Sequence, residues 1–286
     1  MASNNWCKIY FKNSFAGLLE EEPGARCSFS YDDSFLATSK EALSINLPLS
    51  KKLHLNEDGL HPFFDNLVAE GWLAEAQAKA INTRSKDRFK LLLAFGEDCI
   101  GAVSAIDPKP DYKITIDHQE LLKSAALKNK ASMSGVQPKL LVYKKQGKYY
   151  PADGENPATH IAKLPGAYPH ILENEFLTTK VYKELFPSDS VSELEIGQVE
   201  EGVGKALIVK RFDRKENGEK LHFEEFAQLL NLKSDFKYDA QYNELANFMH
   251  NSPLCSKIDI EKIFRRILAC ILLGNTDAHL KNFLIT

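Results

Sequence analysis

The chain has 286 residues, 44% of them hydrophobic and 26% charged, which is enough for two core-forming domains and too ordinary a composition for a disordered chain. Its net charge of -3 excludes a protein that grips nucleic acid through a basic face of its own. Five scattered cysteines without a CxxC pair, no run of about 18 apolar residues and no basic-then-apolar leader fit a soluble cytoplasmic protein with reduced thiols, and exclude a disulfide scaffold and a membrane-spanning helix.

From Trp6 to about Ser30 the residues alternate as strands do, with turns at KNSFAG and EEPGAR and with Cys27, Phe29 and Tyr31 on one face, so a small antiparallel sheet is expected. Pro48, Gly59 and Pro62 punctuate the next stretch. LVAEGWLAEAQAKAI and SKDRFKLLLAF then take helical spacing, the second ending at Gly96. Pro108 and Pro110 mark DPKPDYK, residues 107–113, as a linker. Beyond it the pattern predicts a helix over Asp117 to Lys128, the polar loop KNKASMSGVQPK, two strands in LLVYKKQGKYYPA joined at Gln146 and Gly147, and the strand THIAKL. An amphipathic helix, ILENEFLTTKVYKELF, is stopped by Pro187, and LEIGQVEEGVGKALIVKRFD forms a hairpin turning at EGVG. After Arg214 the spacing is helical in HFEEFAQLLNL, YNELANFMH and IDIEKIFRRILACILLG, the last presenting Ile260, Ile263, Phe264, Ile267, Leu268 and Ile271.

The expected class is α+β. A small N-terminal domain of sheet plus helices spans 1–108, a region like the N-lobe of a kinase spans 109–214, and a helical C-lobe portion spans 215–286. Hairpin, lysine strand, helix, hairpin, connector and then helices is the order of a bilobal kinase.

Phosphoryl transfer asks a protein to cover the phosphates, neutralise them, hold magnesium and orient the accepting hydroxyl. Each task has a candidate in kinase order. The loop running from Ser134 through Gly135 and Val136 to Gln137 and Lys139 could cradle phosphate with backbone amides and two side-chain donors, although a single glycine in a polar loop is more often a plain turn. Lys163 is a charged residue in the apolar strand HIAKL, where kinases carry a phosphate-contacting lysine; a lysine facing solvent from an edge strand would read the same. The following helix offers Glu173 and Glu175 as the carboxylate that positions it, with Glu175 preferred. LIVKRFDR lies where a kinase's two lobes connect, so the backbone around Lys210, Arg211 and Phe212 is the candidate adenine contact.

The sharpest local signal is GNTDAHLKN. Asp277 and Asn282 reproduce the D-x-x-x-x-N spacing of a kinase catalytic loop, and Gly274 can end the helix before them. In that reading Asp277 accepts the acceptor hydroxyl's proton, Asn282 ligates magnesium and Lys281 neutralises the transferring phosphate. His279 could be a metal ligand or an acid–base group; support of the loop by packing and hydrogen bonding is the blander reading of it.

These residues resemble the HipA-like serine/threonine kinase toxins of bacterial toxin–antitoxin systems. SMSGVQPK is similar to the family's S-x-x-G-x-Q-x-K loop, THIAKLP to its lysine strand, NEF to its helix start, KRFDR to its hinge, and NTDAHLKNF to its catalytic loop. FSYDDSFL, LSINLPL, PFFDNLVAEG and LLLAFGEDCIGAV resemble the small domain that precedes these kinases or is encoded beside them. The resemblance implies that Lys163 contacts ATP phosphates, that His279 and Asn282 lie at the nucleotide with magnesium, and that Asp277 is catalytic. It also implies autophosphorylation of Ser132, with Ser134 a second candidate, as an event that shuts the enzyme off. A helix-turn-helix antitoxin is the implied partner, with DNA reached only through it, and an aminoacyl-tRNA synthetase is the implied class of substrate.

One departure sets a competing expectation. Family members continue past the catalytic loop to an aspartate that holds magnesium, and this chain reaches Thr286 before any such residue. A truncated lobe with little turnover is therefore expected, and a pseudokinase that binds nucleotide or antitoxin without transfer is the alternative. A small-molecule or lipid kinase is a further alternative, against which the N-terminal motifs speak.

Overall fold

Alternation dictates the first element. β1 (Trp6–Phe11) turns Cys7, Ile9 and Phe11 inward, and β2 (Ser14–Glu22) returns beside it through Lys12 and Asn13, both at positive φ as a tight hairpin turn requires. The structure is a computed structural model that describes residues 5–115, 126–127, 131–132, 137–153, 155–215 and 217–286, with the side chains of 131–132 outside the description. β3 (Arg26–Tyr31) buries Cys27, Phe29 and Tyr31 as their spacing predicts. With β4 (His54–Asn56) and β6 (Val103–Ile106) these form a five-stranded sheet ordered β4-β3-β2-β1-β6, while the short β5 (Asp98–Cys99) stands apart.

The helices Gly71–Ala80 and Arg88–Phe95 stand where the sequence predicts them. Asp87 caps the second, accepting from the Lys90 N–H, and Gly96 ends it at a point where a Cβ would lie 2.5 Å from the Leu92 carbonyl oxygen. The 107–113 segment is not a free linker. Tyr112 donates to the Leu93 carbonyl at 3.1 Å, and just beyond it the Thr115 N–H reaches the Ala80 carbonyl at 2.8 Å. The helix expected over 117–128 lies outside the described residues except at 126–127, which are helical.

β7 (Ala131–Ser132) pairs in parallel with β5. A closed barrel follows: β8 (Lys139–Lys145), β9 (Lys148–Pro151), β10 (His160–Lys163), β11 (Leu194–Val199) and β12 (Gly204–Lys210), joined in the order β10-β12-β11-β9-β8. Gln146 and Gly147, at φ 50° and 78°, make the β8–β9 turn that the sequence marks. Leu140, Val142, Ala162, Ala206 and Ile208 fill the barrel, and their core is continuous with that of the first sheet. The helix Ile171–Leu185 lies along β11 and β12.

The C-terminal part has its own smaller core of Phe226, Leu245, Met249, Ile263, Leu280 and Phe283. Its helices Tyr242–Asn251 and Lys257–Leu272 match expectation, the latter capped by Ser256 and Asp259 in a reciprocal box. HFEEFAQLLNL does not form the full helix its spacing predicts. Glu224 and Glu225 are strand β13, paired with β14 (Leu284–Ile285), and only Phe226–Leu229 is helical before Asn231 turns the chain at φ 56°. The apolar face of Lys257–Leu272 is only half covered: Ile260, Ile263 and Ile267 pack on the small core, whereas Phe264 and Ile271 remain 66% and 63% exposed.

Polar groups join the N-terminal sheet domain to the C-terminal part. Asp65 accepts from the Ser234 N–H and hydroxyl, both at 2.8 Å, and pairs with Arg88. Ser44 donates to Glu224, Asn46 to the Gln228 carbonyl at 2.8 Å and Asn66 to the Leu232 carbonyl at 2.8 Å.

Candidate active site

Register places Lys163 of β10 directly opposite Lys139 of β8. The Lys163 ammonium pairs with Glu175 from the helix Ile171–Leu185, while Glu173, two residues earlier and so on a different face of that helix, pairs with Lys205. Of the two carboxylates the sequence leaves open, Glu175 is the one that holds Lys163. Burial first, and then the Lys163 charge, pulls the Lys139 ammonium down to about 8. Two ammonium groups facing each other across neighbouring strands repel, and an anion bound between them would relieve that repulsion.

The approach to Lys139 is anchored rather than loose. Gln137 donates one amide N–H to the Leu164 carbonyl at 2.9 Å, and the Leu164 N–H reaches the Pro138 carbonyl at 2.8 Å. Ser134, Gly135 and Val136 lie outside the described residues. Ser132 is described only in its backbone, which pairs with Cys99.

The connector after β12 is pinned to the first domain. Arg211, buried, pairs with Asp213 through contacts of 2.9 and 2.8 Å and with Asp98 at 3.1 Å, and Arg214 reaches Asp98 at 2.6 Å and Asp213 at 2.8 Å. Burial opposes the Asp213 charge, but the two guanidiniums outweigh it and hold the carboxyl below the usual range. The Lys210 N–H donates to the Glu193 carbonyl and the Arg211 N–H to the Thr159 carbonyl, at 2.9 and 3.0 Å. The adenine contact expected of this stretch is thereby narrowed, because those two donors are engaged within the barrel; Phe212 is exposed against Phe223.

In the loop after Leu272, the Asp277 carboxylate is 74% exposed and accepts from the Tyr238 hydroxyl at 2.6 Å. Asn282 turns its amide N–H onto the Asp277 carbonyl, which fixes the five-residue spacing as one closed loop. His279 lies under it, its Nε2 4.0 Å from Asp277 and its Nδ1 accepting from the Lys281 N–H at 3.2 Å. Burial, and next the charge of Lys237, lower the His279 imidazole below its ordinary value, so it is neutral near pH 7. That arrangement matches the blander reading of His279, loop support.

Lys281 corrects the sequence reading. Its ammonium is fully buried, 2.8 Å from Glu70, 3.3 Å from Glu225 and 2.9 Å from the Asn66 carbonyl, so it holds the loop to the first domain and does not face a transferring phosphate. Glu70 also pairs with Lys237 at 2.6 Å. Burial works against the Glu70 charge, yet the two lysines keep its carboxyl below the usual range, while burial raises that of Glu225 despite Lys281. Sequence reasoning passes over Glu70 and Tyr238. Glu70 stands in PFFDNLVAEG at the start of a helix, a charge beside apolar residues that was a usable signal; Tyr238 in FKYDA carries none.

A model of the HipA-like C-terminal domain matches residues 131–286, and a model of the HipA N-terminal domain matches residues 7–106. The chain belongs to the HipA-like family. A Sinorhizobium fredii relative, Y4dM, is 31% identical over 279 residues, covering 90% of this chain and 67% of its own length. The serine/threonine-protein kinase toxin HipA of Shewanella oneidensis is 27% identical, covering 86% of this chain and 64% of its own length. The chain thus spans about two thirds of these HipA-like relatives. A solved structure of HipA with HipB and operator DNA from Shewanella oneidensis superposes with a TM-score of 0.71 at 24% identity, over 97% of this chain and 72% of that one, which shows the shared mixed α+β fold and is consistent with a kinase-like two-lobed plan.

Proposed function

We propose that this HipA-like protein is an ATP-dependent serine/threonine protein kinase acting as the toxin of a toxin–antitoxin pair. The observation that carries the reading is the Lys163–Glu175 pair, set on a barrel strand opposite Lys139, in a chain whose exposed Asp277 is closed into one loop with Asn282. In this reading Lys163 and Lys139 neutralise the phosphates of ATP, and the segment from Ser134 to Gln137 covers them. Backbone groups near Phe212 border the adenine. Asp277 orients the acceptor hydroxyl and takes its proton. Asn282 directs its N–H to the Asp277 carbonyl, which leaves its amide oxygen as the atom suited to a cation, so Asn282 is the residue that would hold magnesium. Magnesium, when bound, supplies charge neutralisation between the phosphates.

Autophosphorylation of Ser132 or Ser134 as an off-switch, and a translation protein such as an aminoacyl-tRNA synthetase as substrate, rest on the family resemblance. The solved complex of a similar fold with HipB and operator DNA supports an antitoxin partner, for which a helix-turn-helix protein is proposed, and a net charge of -3 favours reaching DNA only through it. No helix among the described residues is long and apolar enough to cross a membrane, and a cytoplasmic location is proposed.

A second reading, nucleotide binding without transfer, needs only the Lys163–Glu175 pair opposite Lys139, an arrangement that would hold phosphates whether or not one is transferred. Intact-mass measurement after incubation with Mg-ATP separates the two. A gain of one phosphate that disappears in Asp277→Ala supports the kinase; unchanged mass with retained binding of labelled ATP supports the second reading; neither gain nor binding removes both.

A further inference from the structure

We infer that Glu70 of the N-terminal domain is a positioning residue for the Asp277–Asn282 loop, clasping from across the domain boundary the two chain segments that frame it; the inference rests on the phosphotransfer reading of that loop. One Glu70 oxygen lies 2.6 Å from the Lys237 ammonium and the other 2.8 Å from that of Lys281. Those two lysines belong to segments already joined through their backbones, since the Leu280 N–H donates to the Lys237 carbonyl at 3.0 Å. From there the connection to the reacting carboxylate is short. The Lys281 N–H donates to His279, the Asn282 N–H to the His279 carbonyl at 2.9 Å, and the Asn282 side chain to the Asp277 carbonyl.

Glu225 does not duplicate this role. It is 3.3 Å from Lys281, it belongs to the same lobe as the loop, and among the described residues it pairs with Lys281 and not with Lys237. The N-terminal domain supplies both Glu70 and the Asn66 carbonyl to a fully buried ammonium, so it holds Lys281 from two sides. A buried cation that loses the nearer of its two carboxylate partners is held less firmly, and any shift of Lys281 is passed to its chain neighbours Leu280 and Asn282. The first domain is on this account part of the catalytic machinery rather than an appendage to it.

The test uses the 286-residue protein with Glu70→Gln, which keeps the shape, and Glu70→Asp, which keeps the charge. Hydrogen exchange is read at the amides of His279 to Asn282 and, for reference, at Ile161 and Ile208 in the barrel. We expect Glu70→Gln to speed exchange in the loop about tenfold with the barrel unchanged, and to lower the rate of phosphate incorporation at saturating Mg-ATP about tenfold with KM for ATP within about twofold. Glu70→Asp should recover part of both. Unchanged loop exchange in folded Glu70→Gln overturns the inference, and so does a uniform rise across loop and barrel, which is what a purely structural role gives. If wild type transfers no phosphate, the kinase reading fails alone, because the exchange comparison still decides the role of Glu70.

Discussion

Two lysine centres, about equally plausible as phosphate contacts in the sequence, have opposite surroundings in the fold. Lys163 on β10 is partly exposed, has one carboxylate partner in Glu175, and faces a second ammonium across the strand pair. Lys281 is fully buried and saturated by Glu70, Glu225 and the Asn66 carbonyl. An ammonium under electrostatic pressure from another is a site for an incoming anion, whereas one already matched by carboxylates is a rivet. Proximity to a catalytic motif therefore says less about a charge than the charges around it do.

The largest expected effect breaks the comparison at its chemical end. Asp277→Ala should reduce phosphate incorporation by about a thousandfold or more, the scale of removing a group that acts on the reacting proton, while leaving the melting temperature within about 2 °C because the side chain is exposed. Next come the two lysines themselves. Lys281→Met removes the cation from two buried carboxylates and should cost about 3–5 kcal/mol in denaturant unfolding. Lys163→Met should cost about 1 kcal/mol or less, since its pair is partly solvated, yet abolish binding of labelled ATP. Equal losses of stability in the two variants would erase the distinction drawn between them.

How much of this was legible follows the range of the forces involved. Local rules found what local rules govern: the inward face of Cys27, Phe29 and Tyr31, the Gln146-Gly147 turn, the strand of Lys163 and the loop from Asp277 to Asn282. They failed where a distant segment decides. Glu224 and Glu225 have helical spacing but are drawn into a strand by Leu284 and Ile285, and Lys281 is buried by a glutamate in another domain. The half-covered face of Lys257–Leu272 is a third case, since spacing reports an apolar stripe and not what covers it. Asp277 and Lys281 sit four residues apart in one motif, and only tertiary structure separates the exposed carboxylate from the buried rivet.

A smaller effect sharpens the comparison at the Lys139 end. Below about pH 8 the Lys139 ammonium is charged before ATP arrives; above it, binding must take up a proton, so affinity should fall as pH rises through about 8, by at most about tenfold per unit. Titration calorimetry with ATP across pH 7 to 9.5 reads this directly, and Lys139→Met should remove the inflection. A profile flat through that range in the wild type would mean that Lys139 does not meet the phosphates.

The smallest effect concerns Tyr238, whose hydroxyl donates at 2.6 Å to a carboxylate oxygen of Asp277, the group proposed to take the acceptor's proton. The Asp277 hydrogen bond first, and then burial, push the phenol up to about 12, so it stays protonated and remains a donor at every pH at which the protein would work. Its ring also rests edge-on against His279 at 5.0 Å, which keeps the hydroxyl in place. On the kinase reading, a phenol in that position competes with the acceptor hydroxyl for Asp277 by about 1 kcal/mol, the net worth of an ordinary hydrogen bond. Tyr238→Phe keeps the ring and removes the competitor, so the initial rate of phosphate incorporation should rise about fivefold, with stability unchanged within about 0.5 kcal/mol. A rate that falls instead would mean that the hydroxyl aligns Asp277 for its work, and would move Tyr238 from the side of the competitor to that of Glu70, among the groups that hold the loop in order.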